Sequence, residues 1–193
     1  MAKKESTLFN MVFSLVVVAI LSSSVLGYVY EVTKEPIAEA QKQKKIKAIK
    51  EVVAEFDNNP VEEMYKIPAA NSTDSLEDYP AKKGSEIVGS AIRTNSPNGY
   101  SGNIWLMVGF LPDGTINKIT VLEHKETPGL GSKMGEDKFK SQFYGKNPSA
   151  FNLKVKKDGG EIDALSGATI TSRAFGQAVQ QAYDSYMKGG KHD

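Results

Sequence analysis

Cysteine is absent from the 193 residues. That absence excludes disulfides, thiolate metal sites, cysteine nucleophiles, cysteinyl-flavin linkages and an anchor on a lipidated cysteine. Histidine is scarce too, with only His124 and His192. A histidine-based zinc site is not expected, because its ligands would have to be mainly carboxylates, and no metal site is assigned. His192 lies in the terminal Gly189-Gly190-Lys191-His192-Asp193, which reads as a tail. A charge excess of either sign is missing as well, the formal net charge being +1. Basic residues are scattered among acids rather than interleaved with aromatics on one stripe, so nucleic acid is not an expected partner.

Charge is also missing from one long stretch. Leu8 to Tyr30 is almost wholly apolar or small, and the first charged residue after it is Glu31. About 20 helical residues at ~1.5 Å rise cover the ~30 Å hydrocarbon core of a bilayer. A cleavable signal peptide is the competing reading, with Lys3 and Lys4 as its basic end and Ser22-Ser23-Ser24 as small residues. The run exceeds a typical signal core and continues through Val25, Leu26, Tyr28 and Val29 to the interface aromatic Tyr30, which favours an anchor. Lys3 and Lys4 place the N-terminus in the cytoplasm and the remainder outside the bacterial cell membrane. Lys34 and the Lys42, Lys44, Lys45 cluster on the other flank weaken that asymmetry.

Pro36 suits the first turn of a helix. Ile37 to about Phe56 carries an apolar side through Ala40, Ile46, Ile49, Val52, Val53 and Phe56, read as a helical stalk that Asp57-Asn58-Asn59-Pro60 stops. Lys42 to Lys50 is a solvated face. The expected organisation is residues 1–30 as cytoplasmic end and membrane helix, 31–57 as stalk, and 58–193 as an extracytoplasmic domain. Asn71-Ser72-Thr73 fits the N-glycosylation pattern, which is too common to assign a role.

From Glu86 the pattern becomes strand-like. Ile87 to Ile92 leads to the turn cluster Asn95-Ser96-Pro97-Asn98-Gly99, followed by Ile104 to Phe110. Pro112-Asp113-Gly114 is a hairpin-type turn, and Ile116 to Glu123 alternates. Connections this short leave no room for crossover helices, so the sheet is antiparallel. Lys138 to Tyr144 reads as a short helix, and Lys156-Lys157-Asp158-Gly159-Gly160 as a turn. The expected fold class is α+β: a single membrane helix and stalk, then a mainly antiparallel sheet with flanking helices.

Asp163-Ala164-Leu165-Ser166-Gly167-Ala168-Thr169-Ile170-Thr171-Ser172 packs hydroxyls around a glycine behind an acid. It opens into Ala174, Phe175, Ala178, Val179, Ala182, Tyr183 and Tyr186, the stripe of an amphipathic helix. Hydroxyls and free N–H groups therefore meet at a helix N-terminus, which favours an anion such as phosphate. An ordinary serine or threonine cap is the plainer alternative. A second unusual stretch, His124-Lys125-Glu126-Thr127-Pro128-Gly129-Leu130-Gly131, is a proline-stiffened loop after the last strand.

Ser-Gly-Ala-Thr-x-Thr-Ser behind Asp163 resembles the flavinylation motif of the FMN-binding domain family. The Gly99-Tyr100 pair, the Pro-Asp-Gly turn and the His-x-Glu-Thr-Pro-Gly-Leu-Gly loop resemble the same family in the same order, so the likeness spans roughly Glu86 to Tyr186. That family includes the C subunit of sodium-translocating NADH:quinone oxidoreductase and the G subunit of the Rnf complex, and length and compact spacing resemble the latter more. The resemblance implies FMN joined covalently through a phosphoester to Thr169. It implies flavin contacts from Ser166, Gly167, Ala168, Thr171, Glu126, Thr127, Gly129 and Leu130, with Asp163 as a recognition residue and Thr171 as the alternative acceptor. His124 reads as a structural residue, since electron transfer needs no general base. A separate flavin transferase would supply the FMN from FAD, because a threonine hydroxyl is a poor nucleophile and no nucleotide-binding loop is present. Implied partners are flavin and iron–sulfur subunits that pass electrons between ferredoxin and NAD while moving Na⁺ or H⁺. The chain alone, with one span and no intramembrane charge, cannot form an ion path. Two other readings stand beside the electron carrier: an exported flavoprotein serving another reductase or sensing flavin, and a non-redox structural anchor.

Overall fold

The computed structural model describes residues 7–53, 55–70 and 74–189. Lys3, Lys4, the Asn71-Ser72-Thr73 pattern and His192 lie outside the described residues. The chain divides into two units, Met1–Lys44 and Lys45–Asp193.

The first unit is helical. Helix α1 runs over Leu8–Val52, its last turns belonging to the second unit. It is the one helix among the described residues long and apolar enough to cross a membrane, with a mean hydropathy of 2.3 in its best window. Its large apolar side chains from Leu8 to Val32 are exposed. Ser23, Ser24 and Thr33 turn their hydroxyls back onto carbonyls of the preceding turn, so they need no water in an apolar medium. Pro36 lies inside α1 rather than at a helix start. Having no N–H, it leaves the helix one bond short without ending it.

The second unit is built on a five-stranded antiparallel meander, β1 (Tyr65–Pro68), β2 (Ser75–Lys83), β3 (Glu86–Gly99), β4 (Gly102–Phe110) and β5 (Ile116–Glu123), in that spatial order. β1 and β2 were not legible as strands. The turn cluster Asn95–Gly99 is the end of β3, and the chain reverses between Gly99 and Gly102 instead. The Pro-Asp-Gly turn forms as expected, closed by the Gly114 N–H on the Leu111 carbonyl at 2.9 Å. The short helix expected at Lys138 to Tyr144 is α2, Asp137–Lys140, continued by turns.

Alternation along β4 sends side chains to two apolar layers. Ile104, Leu106, Val108 and Phe110 join the larger core with helix α3, Thr169–Gly189. The stripe Ala174, Phe175, Ala178, Val179, Ala182 and Tyr186 is buried there, and Phe110 stacks on Tyr186 at 5.3 Å between centroids. Phe139 and Phe143, from α2 and the turn after it, close the core around Phe175. Met107 points the other way, into a smaller cluster with Ala48, Ile49 and Val52 from the end of α1 and with Tyr79 and Ala91. Cover on both faces explains why β4 reads as a nearly unbroken apolar run. The Asn117 amide donates to the Val52 carbonyl at 2.8 Å, satisfying an acceptor at the end of α1. α3 lies across β3, held partly by Thr94 Oγ1 donating to the Ala178 carbonyl at 3.1 Å. That packing brings the start of α3 to the end of the sheet where β3 turns into β4 and where the chain leaves β5.

Candidate flavin site

Three segments meet at that end. The turn between β3 and β4 brings Tyr100, the loop after β5 brings Glu126 to Gly131, and the start of α3 brings Gly167 to Thr171. Together with Lys157 they line a cavity of about 680 Å³. That size lies within the ~300–1,000 Å³ typical of small-molecule sites.

Local chemistry sets the approach to α3. Leu165 to Ala168 form a turn closed by the Ala168 N–H on the Leu165 carbonyl at 3.0 Å. Gly167 sits there at φ 73°, a value that disfavours any side chain. Ser172, fully buried, binds both ends of the turn: its hydroxyl accepts the Leu165 N–H at 2.9 Å and donates to the Ala168 carbonyl at 3.0 Å. The first helical bond is made by the Ser172 N–H to Ala168 at 3.0 Å. The N–H groups of Thr169, Ile170 and Thr171 therefore stand free at the positive end of a 21-residue helix.

The hydroxyls of the motif are sorted by this geometry. Thr171 is buried and donates to Glu126 Oε2 at 2.5 Å. Ser172 is occupied as just described. Thr169, half-buried on the cavity wall, keeps its hydroxyl free of any hydrogen bond among the described residues. Ser166 is exposed and outside the lining.

Glu126 is 5% exposed and ties the three segments together. Its Oε1 accepts the Ser101 N–H at 2.9 Å, and its Oε2 takes the Thr171 hydroxyl. Room for it comes from Gly131, where a Cβ would lie 2.5 Å from Oε2 and 2.8 Å from Thr171 Oγ1. His124 is a brace rather than a wall residue, its Nδ1 accepting the Glu126 N–H at 3.2 Å.

Of the expected contacts, Glu126, Thr127, Leu130, Gly167, Ala168 and Thr171 line the cavity with Thr169. Gly129 lies off the wall and shapes the loop, its N–H donating to Ser132 Oγ at 2.9 Å. Asp163 is exposed away from the cavity, with Lys156 on its carboxylate at 2.8 Å and Gln142 on its backbone. Tyr100, Gly131, Lys157 and Ile170 were missed. Tyr100 was visible only as half of a Gly-Tyr motif, and Lys157 only as part of a turn. Tyr100, Leu130 and Ile170 are 70%, 46% and 47% exposed, so an uncovered apolar rim surrounds the cavity.

Residues 99–184, which include all three segments, match the profile of the FMN-binding domain family. The chain is 38% identical over 177 residues to the G subunit of the ion-translocating oxidoreductase complex of Erwinia tasmaniensis, covering 87% of this chain and 84% of that protein. It belongs to that family of G subunits. A second relative is the G subunit of the proton-translocating ferredoxin:NAD(+) oxidoreductase complex of Clostridium ljungdahlii, 30% identical over 193 residues and 98% of each chain. The C subunit of the Na(+)-translocating NADH-quinone reductase of Parabacteroides distasonis has a similar fold. The TM-score is 0.50 at 21% identity, over 76% of this chain and 80% of that one.

Proposed function

We propose that the chain is the membrane-anchored electron carrier of an Rnf-type ion-translocating oxidoreductase complex, holding FMN through a phosphoester to Thr169. The observation that carries this reading is the sorting of hydroxyls: Thr171 and Ser172 are committed internally, whereas Thr169 is free and faces the cavity. Membership in the G-subunit family and the FMN-binding domain match support the cofactor class.

The donor set suits FMN. Free N–H groups at the start of α3 and the Lys157 ammonium complement a phosphate. Tyr100, Leu130 and Ile170 offer apolar surface to a flat ring system. FMN, when bound, supplies electron transfer in steps of one or two electrons. The chain's part is to tether, orient and partly desolvate it. A phosphoester leaves the ring unsubstituted, so its potential is set by noncovalent contacts. The same tether prevents loss of the cofactor outside the cytoplasm.

Asp163, held outside the cavity, is the recognition residue for a separate flavin transferase that uses FAD. α1 crosses the cell membrane with its N-terminus inside, leaving the flavin domain periplasmic or extracytoplasmic. Electron entry and exit belong to flavin and iron–sulfur partner subunits, and ion movement to multi-span ones.

Intact mass and in-gel flavin fluorescence of the denatured full chain, co-expressed with a flavin transferase, test the assignment. Wild type should gain one FMN-phosphoester mass and Thr169→Val none. Fluorescence that survives in Thr169→Val would move the acceptor to Ser166 or Thr171, and no flavin on either chain would end the carrier reading.

A further inference from the structure

Glu126 is a buried acid whose charge the tethering reading does not use. Its two oxygens are held by the Ser101 N–H and the Thr171 hydroxyl, and no cation pairs with it among the described residues. The other titratable groups on the same cavity wall are Tyr100 and Lys157, and Lys157 is in no ion pair with it among the described residues. His124 meets only its backbone. Burying a carboxylate without a counter-cation is costly, and a hydrogen-bonded amide would brace the same three segments without that cost. The two donated hydrogen bonds and the positive end of α3 beside Thr171 offset that cost, so the acid brings to the cavity wall a charge that an amide brace would not.

We propose that Glu126 is a redox-tuning residue, its carboxylate opposing the build-up of negative charge on the flavin carried in the same cavity. The inference rests on the FMN assignment above. Two-electron reduction of the neutral ring with uptake of one proton leaves one net negative charge, and uptake of a second proton removes it. The electrons come from a redox partner in the complex, or from dithionite in a titration. A like charge nearby disfavours the anionic product, so it lowers the midpoint potential.

The test is a dithionite titration of the detergent-solubilised full chain at fixed pH, with flavin loading established by intact mass. Glu126→Gln is isosteric: the amide oxygen still accepts from Ser101, and the amide N–H can donate to Thr171 Oγ1. Its midpoint is expected to shift upward. Thr171→Val keeps the charge and removes the hydroxyl that disperses it, so its midpoint should shift downward. Opposite shifts on loaded chains establish electrostatic tuning, because loosening of the site would not reverse sign between the two variants. Unchanged midpoints, or shifts of one sign in both, overturn the proposal. Should Glu126→Gln fail to fold or load, Thr171→Val is read beside Thr171→Ser, which keeps the hydroxyl on Glu126: a downward shift in Thr171→Val that Thr171→Ser does not show supports the proposal, and equal shifts in both, or none, overturn it. A wild-type chain with no flavin mass would instead defeat the FMN assignment itself.

Discussion

At Gly131 the missing side chain leaves the space that Glu126 and Thr171 occupy, so the brace between three segments depends on the absence of a Cβ there. Gly131→Ala would push the Glu126 side chain or the Thr171 hydroxyl aside. Overpacking of this kind costs about 1–3 kcal/mol. At ~2–4 °C per kcal/mol for a domain of this size, thermal unfolding of the full chain should fall by several degrees. A melt equal to wild type would show that the brace relaxes freely. The residue scale is also where sequence reading had a definite limit. The motif pointed to Thr169, but Thr171 stayed open as an acceptor because two threonines two positions apart are chemically alike. Burial and a partner 45 residues earlier in the chain give Thr171 surroundings that Thr169 lacks. Lys157 had no signal of its own, since a lysine in a turn is ordinary until the fold brings it to a cavity.

Among the elements, β2 shows why part of the sheet was illegible. Ser75-Leu76-Glu77-Asp78-Tyr79-Pro80-Ala81-Lys82-Lys83 breaks apolar alternation with charge and contains a proline. Pro80 is tolerated because β1 pairs only as far as Asp78, leaving β2 a single neighbour at that point. The acids are satisfied mainly by groups from other elements: Asp78 by Ser90 and Tyr65, Glu77 by Lys45 and Arg93, with Tyr79 of the same strand also donating to Glu77. Burial pushes the Glu77 carboxyl up, but the Tyr79 hydroxyl and the two cations outweigh it and hold it below the usual 4.5. Burial, together with the same carboxylate, drives the Tyr79 phenol far above its ordinary value. A carboxyl depressed on folding stabilises the fold fully above its unfolded value and loses that contribution as pH falls through the folded one. Urea midpoints of wild type should therefore exceed those of Glu77→Gln at neutral pH, and the gap should close on acidification below 4.5. A gap independent of pH would mean that the ion cluster contributes by packing alone. The helix α3, by contrast, was readable from its stripe because one face meets the sheet over its whole length.

Across the whole molecule, the lack of cysteine makes orientation directly measurable, since one introduced thiol is a unique reporter. Ser149 is exposed in the turn after Asn147. Ser149→Cys should react with a membrane-impermeant maleimide in spheroplasts without detergent. Labelling only after permeabilisation would place the flavin domain in the cytoplasm and reverse the proposed topology.

By itself the sequence determined the membrane-length apolar helix, the antiparallel order of β3 to β5, the amphipathic α3 and the likeness to the FMN-binding domain family. Each of these is written in local order: hydropathy over a window, a periodicity, a turn residue, a short string. Tertiary structure alone decided that the end of α1 packs as part of the domain, that β1 and β2 complete the sheet, and that Glu126 is a buried brace. It also decided that Thr169 keeps the free hydroxyl on the cavity wall. Those features depend on pairings between residues far apart in the chain, where burial and hydrogen-bond partners override the preference of any single stretch.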